Sequence, residues 1–418
     1  MNKKHKRVKM ACYATSISMS IILNLSPILF LTFRNQYGIS FSLLGLLVLV
    51  NFLSQMTVDL VFSFFSHRFN IPLAVKITPV LSLVGLVIFA VWPWVFPEHV
   101  FPGLVLGTII FSASGGFSEG LLSPVIAALP SKDPDREMSA FHAVYAWGTV
   151  ALTIFATLFL LIFGAKSWQW MALLLVSVPL TATILFSKAE IPPMETPEKV
   201  SGVLRLMKNK GLWLCGGAIF LGGICECTMA QWSSGYLEQA IGIPKVWGDI
   251  FGVALFSIFL GLGRSLYGKI GKNISAVLLW GAIGCSVCYI TAAISSIPLL
   301  GLMVCAFTGF CASMLWPGSL VVSTDQFPAG GVFIYAMMAA GGDFGASIGP
   351  QLVGIITDLS LESPSFLTWA QTIGLAPEQA SMKLAMRVVS IFPLLAIPLY
   401  AVIHKKYRKQ KAEASVAK

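Results

Sequence analysis

Long apolar runs separated by short polar breaks recur along the whole chain. They fall near 9 to 33, 40 to 66, 72 to 95, 101 to 129, 138 to 163 and 168 to 187, then near 212 to 237, 246 to 268, 273 to 296, 298 to 324, 331 to 357 and 381 to 404. A helix needs about 20 apolar residues to cross hydrocarbon, and each run supplies a stretch of that order. The pattern predicts an all-α integral membrane protein of twelve transmembrane helices. Its organisation is a six-helix bundle over 1–187, a cytoplasmic linker over 188–211, a second six-helix bundle over 212–404 and a basic cytoplasmic tail over 405–418.

Composition agrees with this reading. Of the 418 residues 56% are hydrophobic and 11% charged, whereas a soluble domain carries about a quarter charged. So few charges cannot clothe a water-soluble surface around so much apolar material. A soluble enzyme, a secreted domain, a nucleic-acid binder and a disordered protein are therefore excluded.

The 28 Lys and Arg are placed unevenly. With a cytoplasmic amino terminus, 23 fall in inner segments, among them Arg68, Arg264, Lys269 and Lys272. Only Arg34, Lys166, Lys245, Lys383 and Arg387 fall outside. This bias predicts both termini in the cytoplasm, and the basic tails suit anionic lipid headgroups. The start MNKKHKRVK precedes an apolar stretch too long for a signal sequence, so it is read as a retained helix. The eight cysteines all lie inside predicted spans and are read as packing residues.

The linker has a Pro-rich front, AEIPPMETPEK, and a back in which Val200, Val203, Leu204 and Met207 recur at helical spacing among basic residues. This predicts a short amphipathic helix on the inner membrane surface, with a plain solvated helix as the alternative. The halves also echo each other. Gly38-Ile39 before span 2 and Gly242-Ile243 before span 8 are 204 positions apart, and both following spans end in a basic turn, His67-Arg68-Phe69-Asn70 and Gly268-Lys269-Ile270-Gly271-Lys272.

Two six-span halves in parallel repeat resemble the major facilitator superfamily of secondary transporters, over essentially the whole chain. That superfamily carries a Gly-x-x-x-Asp-Arg/Lys-x-Gly-Arg/Lys motif after span 2, often echoed after span 8. Here Arg68 remains of the first copy and Lys269-x-Gly271-Lys272 of the second, while Ser63, His67, Asn70 and Ile71 replace the rest. The resemblance implies a gating role for Arg68, Lys269 and Lys272; anchoring of helix ends is the plainer alternative. Gly116 to Pro124, with Glu119, and Phe141 to Gly148 look like the fucose permease type of sugar:proton symporter. Span 1 departs from that type, with Asn24-Leu25-Ser26-Pro27 and no carboxylate.

Four acidic residues sit inside spans: Asp59, Glu119, Glu226 and Asp343. An ionisable group in a bilayer costs about 2.5 to 3.5 kcal/mol on insertion scales, so each calls for a reason. No Lys or Arg is expected at comparable depth, and carboxyls without cations can exchange protons. Glu119, Glu226 and Asp343 are the proton-coupling candidates. Ser112, Gly116 and Ser123 share a helical face with Glu119, with a packing hydrogen bond as the alternative. Glu226, Thr228, Gln231 and Trp232 on span 7 suit a hydroxyl-rich solute, the indole covering an apolar ring face. Asn24, Glu119, His142, Tyr145, Trp316 and Asp343 complete the substrate-lining set. Gly341, Gly345 and Gly349 form a flat face expected to pack against the other half. Asp59, low in span 2, is assigned an inner-gate hydrogen bond, and Asn51 and Gln55 share its stripe.

The function expected is secondary active transport, by alternating access, of a small polar, sugar-like solute with a proton, or a sodium ion in its place. A proton-driven exporter of amphipathic compounds and a non-transporting receptor of the same fold are the alternatives. No enzyme activity, cofactor, metal or nucleic acid is expected: there is no phosphate-binding loop, and the five histidines are scattered. The protein is expected to be a monomer, in contact with membrane lipid, in a bacterial inner membrane. If the cysteines serve packing alone, intact-mass analysis after alkylation in denaturant finds all eight thiols modified, with or without prior reduction.

Overall fold

The computed structural model describes residues 3–65, 68–131, 134–192, 206–271, 273–327 and 331–416. Among them the chain is helical and contains no strand. Twelve helical segments are long and apolar enough to cross a membrane: Lys4–Ile28, Phe41–Val61, Ile71–Val95, Pro97–Ala127, Ala140–Phe163, Ala165–Ser187, Lys210–Ile241, Lys245–Lys269, Ile274–Ile294, Pro298–Gln326, Ile334–Glu362 and Pro377–Gln410. These are spans 1 to 12 below. Their outward side chains confirm the solvent: Leu161, Ile162, Trp280 and Leu299 are 61 to 70% exposed, an arrangement suited to lipid and costly in water. All eight cysteines are free.

Several helix limits follow from local chemistry. Asn70, Asn209 and Asn273 cap the starts of spans 3, 7 and 9, each side chain accepting a backbone N–H of the first turn. Gly38 and Gly242 close the helices that precede spans 2 and 8, with φ of 66° and 77°. That left-handed conformation is cheap for glycine alone, which is the physical content of the paired Gly-Ile. Span 1 breaks at Leu29, two residues beyond Pro27, and resumes as Phe30–Tyr37. Span 10 breaks at Ser313 and Met314, and span 12 at Ser390. A further helix, Pro364–Thr372, was not expected; Ser363 caps it. Most of the linker's expected amphipathic helix, residues 200–205, lies outside the described residues.

The chain packs as two compact units. The first comprises Met1–Ile39 and Val50–Glu198, the second Ser40–Leu49 and Lys199–Lys418. The first ten residues of this division's second unit are thus the start of span 2.

In the first unit, spans 3 and 4 lie so close that a Cβ on Gly85 would fall 2.5 Å from the Phe111 nitrogen. The basic amino terminus finds protein partners: Lys4 pairs with Glu190 at 2.8 Å, Arg7 Nη1 donates to the Lys188 carbonyl at 3.1 Å, and Lys9 pairs with Glu137. The Lys4 hydrogen bond holds the Glu190 carboxyl below the usual carboxylate range.

In the second unit the tightest crossing joins spans 7 and 11. A Cβ on Gly345 would lie 2.0 Å from the Phe220 carbonyl oxygen, and one on Gly349 2.1 Å from Thr228 Oγ1. The flat glycine face therefore packs on span 7 of its own unit, correcting the expectation that it meets the other half. Asp358 on span 11 accepts from the Phe41 and Ser42 backbone N–H groups at 3.1 and 2.6 Å, and from the Ser42 hydroxyl. A carboxylate there answers the unpaired N–H groups and the positive end of the span 2 helix. Lys383 and Arg387 on span 12 do the converse for span 9. Lys383 Nζ donates to the Ser295 carbonyl and to Ser296 Oγ, and Arg387 Nε donates to the Ala293 carbonyl.

Gly345→Ala should lower the melting temperature of the detergent-purified protein by an overpacking cost of about 1 to 3 kcal/mol. Gly216→Ala, whose Cβ meets nothing nearer than 3.9 Å, should leave it unchanged or raise it. Asp358→Ala should cost about 1 to 3 kcal/mol, read as a lower midpoint in a heat-and-filter assay.

Candidate functional site

In the first unit the polar side chains gather where span 2 meets span 4. Asn51, Gln55 and Asp59 recur every four residues on span 2, and Ser112, Gly115, Gly116 and Glu119 line the facing stripe of span 4. Ser112 Oγ donates to Asn51 Oδ1 at 2.8 Å, and Asn51 Nδ2 donates to the Ile22 carbonyl of span 1 at 3.0 Å. One turn further, a Cβ on Gly115 or Gly116 would come to 2.5 Å from a Gln55 oxygen. The missing side chains let the two helices touch there. Beyond that contact Asp59 and Glu119 come onto the same seam: the Asp59 backbone nitrogen lies 3.1 Å from the Cβ position of Gly116, and Glu119 follows Gly116 by three residues on span 4.

Asn51, Gln55 and Asp59 are buried, whereas the Glu119 side chain stays exposed. Neither Glu119 nor Asp59 makes an ion pair among the described residues. Two stripes that looked separate in the sequence thus form one network. Asp59, expected to act alone as a gate residue, is a neighbour of the proton candidate.

The other expected residues of this unit are less exposed to a solute. Asn24 is buried, its Nδ2 donating to the Ser20 carbonyl at 2.9 Å and reaching Thr149 Oγ1 at 3.5 Å. It ties span 1 to span 5. Tyr145 is half-buried, and its carbonyl accepts the Thr149 hydroxyl at 3.2 Å. His142 is exposed, with its ring centroid 5.4 Å from that of Phe141. Arg68 is exposed, its guanidinium 5.5 Å from the centre of the Phe65 ring.

The second unit overturns the expectation of unpaired carboxyls. Arg264 Nη2 donates to Glu226 Oε1 at 3.0 Å and to Oε2 at 3.3 Å, while its Nε donates to the Ser313 carbonyl at 3.0 Å. Arg264 had been assigned to a cytoplasmic end; it lies within span 8, against the middle of span 7. The reason for the Ser313 contact is legible after the fact. Pro317 stands where the helix would supply an N–H to that carbonyl, and proline has none. The guanidinium fills the gap. Side-chain exposure is 39% for Arg264 and 13% for Glu226, so the pair is partly open. By joining span 8 to span 7 the pair has a structural role as well, at less than the cost of a fully buried ion pair because the guanidinium is partly solvated.

Gln231 and Trp232, expected as substrate contacts, lie inside the second unit. Both are buried, Trp232 completely, and its Nε1 donates to the Pro350 carbonyl at 2.9 Å. Trp316 is half-buried against Gly342, where a Cβ would meet its ring at 2.6 Å. Asp343 is 0% exposed, enclosed within the unit. Lys269 is exposed, and Lys272 lies outside the described residues.

Sequence reasoning missed a second charged cluster. Lys245 Nζ lies 3.0 Å from both Asp249 oxygens, and Ser234 Oγ donates to Asp249. Asp249 is buried in a π-helical turn, Gly248–Ala254, at the start of span 8. Its four-residue spacing from Lys245 was the available signal.

Solved structures share this fold. A bacterial homologue of the human lysosomal transporter Spinster, in an inward-facing and occupied conformation, is 14% identical, with 98% of each chain covered and a TM-score of 0.72. The same homologue, inward-facing and unoccupied, is 13% identical over 98% of this chain and 99% of the other, with a TM-score of 0.72. A point variant of the nucleoside transporter NupG is 10% identical over 96% of this chain and 100% of the other, with a TM-score of 0.73. At such identities the likeness concerns the fold. No protein of curated function matches the sequence. A family profile described as Major Facilitator Superfamily matches residues 10–350, and the chain belongs to that superfamily.

Proposed function

We propose that this protein is a proton-coupled secondary active transporter of a small polar solute, with Glu119 as the proton site. The observation that carries the reading is the Glu119, Asp59 and Gln55 cluster. Carboxyls that meet inside a protein without a cation repel, and a bound proton relieves the repulsion. Gln55 can serve both states of its neighbour. Its N–H groups donate to a carboxylate, and its Oε1, buried and without a partner among the described residues, can accept from a carboxylic acid. Glu119 is exposed, which gives a proton a route to the site, while Asp59 and Gln55 are buried and can hold the arrangement.

Alternating access in this superfamily moves the two halves about a site near the bilayer midplane. A change in the Glu119 charge alters the contact of span 4 with span 2, which is a mechanical handle on such a motion. The fold neighbours are themselves named as transporters, which supports flux over a silent receptor. The resemblance of Gly116 to Pro124 to the fucose permease type supports the same position as the coupling site. The basic inner segments support placement in a bacterial inner membrane with both termini in the cytoplasm.

In lightly buffered proteoliposomes, a transported solute should alkalinise the outside as it enters. Glu119→Gln should reduce that proton movement by about tenfold or more, the scale of a lost intramembrane titrating group, while exchange of labelled for unlabelled solute continues. Asp59→Asn should keep the proton movement and shift its pH profile. Solute accumulation driven by a sodium gradient and indifferent to Glu119→Gln would sink the proposal.

A further inference from the structure

Span 8 presents two accessible stripes of different character. Ile258, Leu262 and Leu266 form an exposed apolar stripe suited to lipid. Gly261, Arg264, Ser265 and Gly268 form another, small and polar, and a Cβ on Gly261 or Gly268 would meet nothing within 4 Å. The two glycines lie one turn to either side of Arg264 and keep the space beside it open. A guanidinium facing lipid there would be costly, and one facing a polar surface is not.

The guanidinium beside these glycines is fixed but not used up. Nε is held by the Ser313 carbonyl, which Pro317 leaves without its helical donor, and Nη2 is held by Glu226. Nη1 makes no hydrogen bond among the described residues, and the side chain is 39% exposed. A planar fork held along one edge and open at another is pre-organised to receive two anionic oxygens, because its rotamer entropy is already lost. Glu226 offsets the charge from the opposite side.

We propose that Arg264 binds an anionic group, a carboxylate or a phosphate, carried by the transported solute, in the open space beside Gly261 and Gly268. This rests on the transport reading above and narrows its solute from polar to anionic. Glu226 then competes with the solute for the guanidinium, which sets the sign of its substitution. Removing the Glu226 charge strengthens solute binding, whereas a purely structural ion pair would respond with weaker or unchanged binding.

The test uses the full chain purified in detergent, with thermal stabilisation as the binding readout. Lactate, gluconate and glycerol phosphate are compared with lactamide, glucose and glycerol, so that carboxylate and phosphate are separated from each other and from the uncharged frame. An anionic member should stabilise the protein. Arg264→Gln should weaken its apparent affinity by about tenfold or more, as expected for a lost bidentate contact, and Glu226→Gln should tighten it. Gly261→Leu, which fills open space and should fold, should weaken it too. The double variant Arg264→Gln, Glu226→Gln leaves no unpaired charge and separates lost binding from misfolding. Stabilisation by none of the anions, or by uncharged members alone, or undiminished anion binding in the double variant overturns the proposal. Glu119-dependent proton movement with an uncharged solute keeps the transport reading and overturns this one. Binding of an anion that depends on Arg264, with no flux in proteoliposomes, upholds the anion site and overturns the transport reading.

Discussion

Hydrocarbon offers no hydrogen-bond partner, so every polar group carried into the bilayer by these helices must be answered from within the protein. Nearly every specific feature described above is such an answer. The serine and threonine hydroxyls inside spans donate to carbonyls one turn back, as Thr78 does to Ala74 and Thr357 to Val353. Groups that a helix cannot satisfy by itself are the ones that bind helices together. The Trp232 indole reaches the Pro350 carbonyl, and the Tyr400 hydroxyl reaches the Ala218 carbonyl.

The same constraint explains where charge is found. Asp358 lies at the start of span 2, where N–H groups lack helical acceptors, and Lys383 and Arg387 lie at the end of span 9, where carbonyls lack donors. Arg264 answers one carbonyl that Pro317 has orphaned and one carboxylate. Glu119 and Asp59 stand apart, since neither makes an ion pair among the described residues. A site whose charge is balanced suits recognition. A site whose charge is left to a proton suits coupling.

Close helix contact makes these arrangements possible. Gly115 and Gly116 bring span 2 against span 4, so that Gln55 lies against the stripe that carries Glu119; Gly345 and Gly349 bring span 11 against span 7. Where the same residue type faces open space, as at Gly261 and Gly268, its effect is the reverse: it holds room beside Arg264. Composition does not separate these two uses, and only the neighbours do.

The twelve spans, their number and approximate limits were determined by the sequence itself, because the length and polarity of an apolar run decide whether it enters a bilayer regardless of its partners. So were the turns at Gly38 and Gly242, since a left-handed residue is a local demand. The Glu119 stripe and the Asn51, Gln55, Asp59 stripe were each legible by helical spacing. Their union was not, because spacing along one helix carries no information about which helix it faces. For the same reason Arg264, read as one more basic residue near a helix end, was separated from Glu226, which lies 38 positions away. Trp232 was read from its neighbours in the chain, and nothing in that reading named the Pro350 carbonyl of span 11 as the acceptor of its indole N–H. Periodicity fixes a face, and only tertiary packing decides what that face meets.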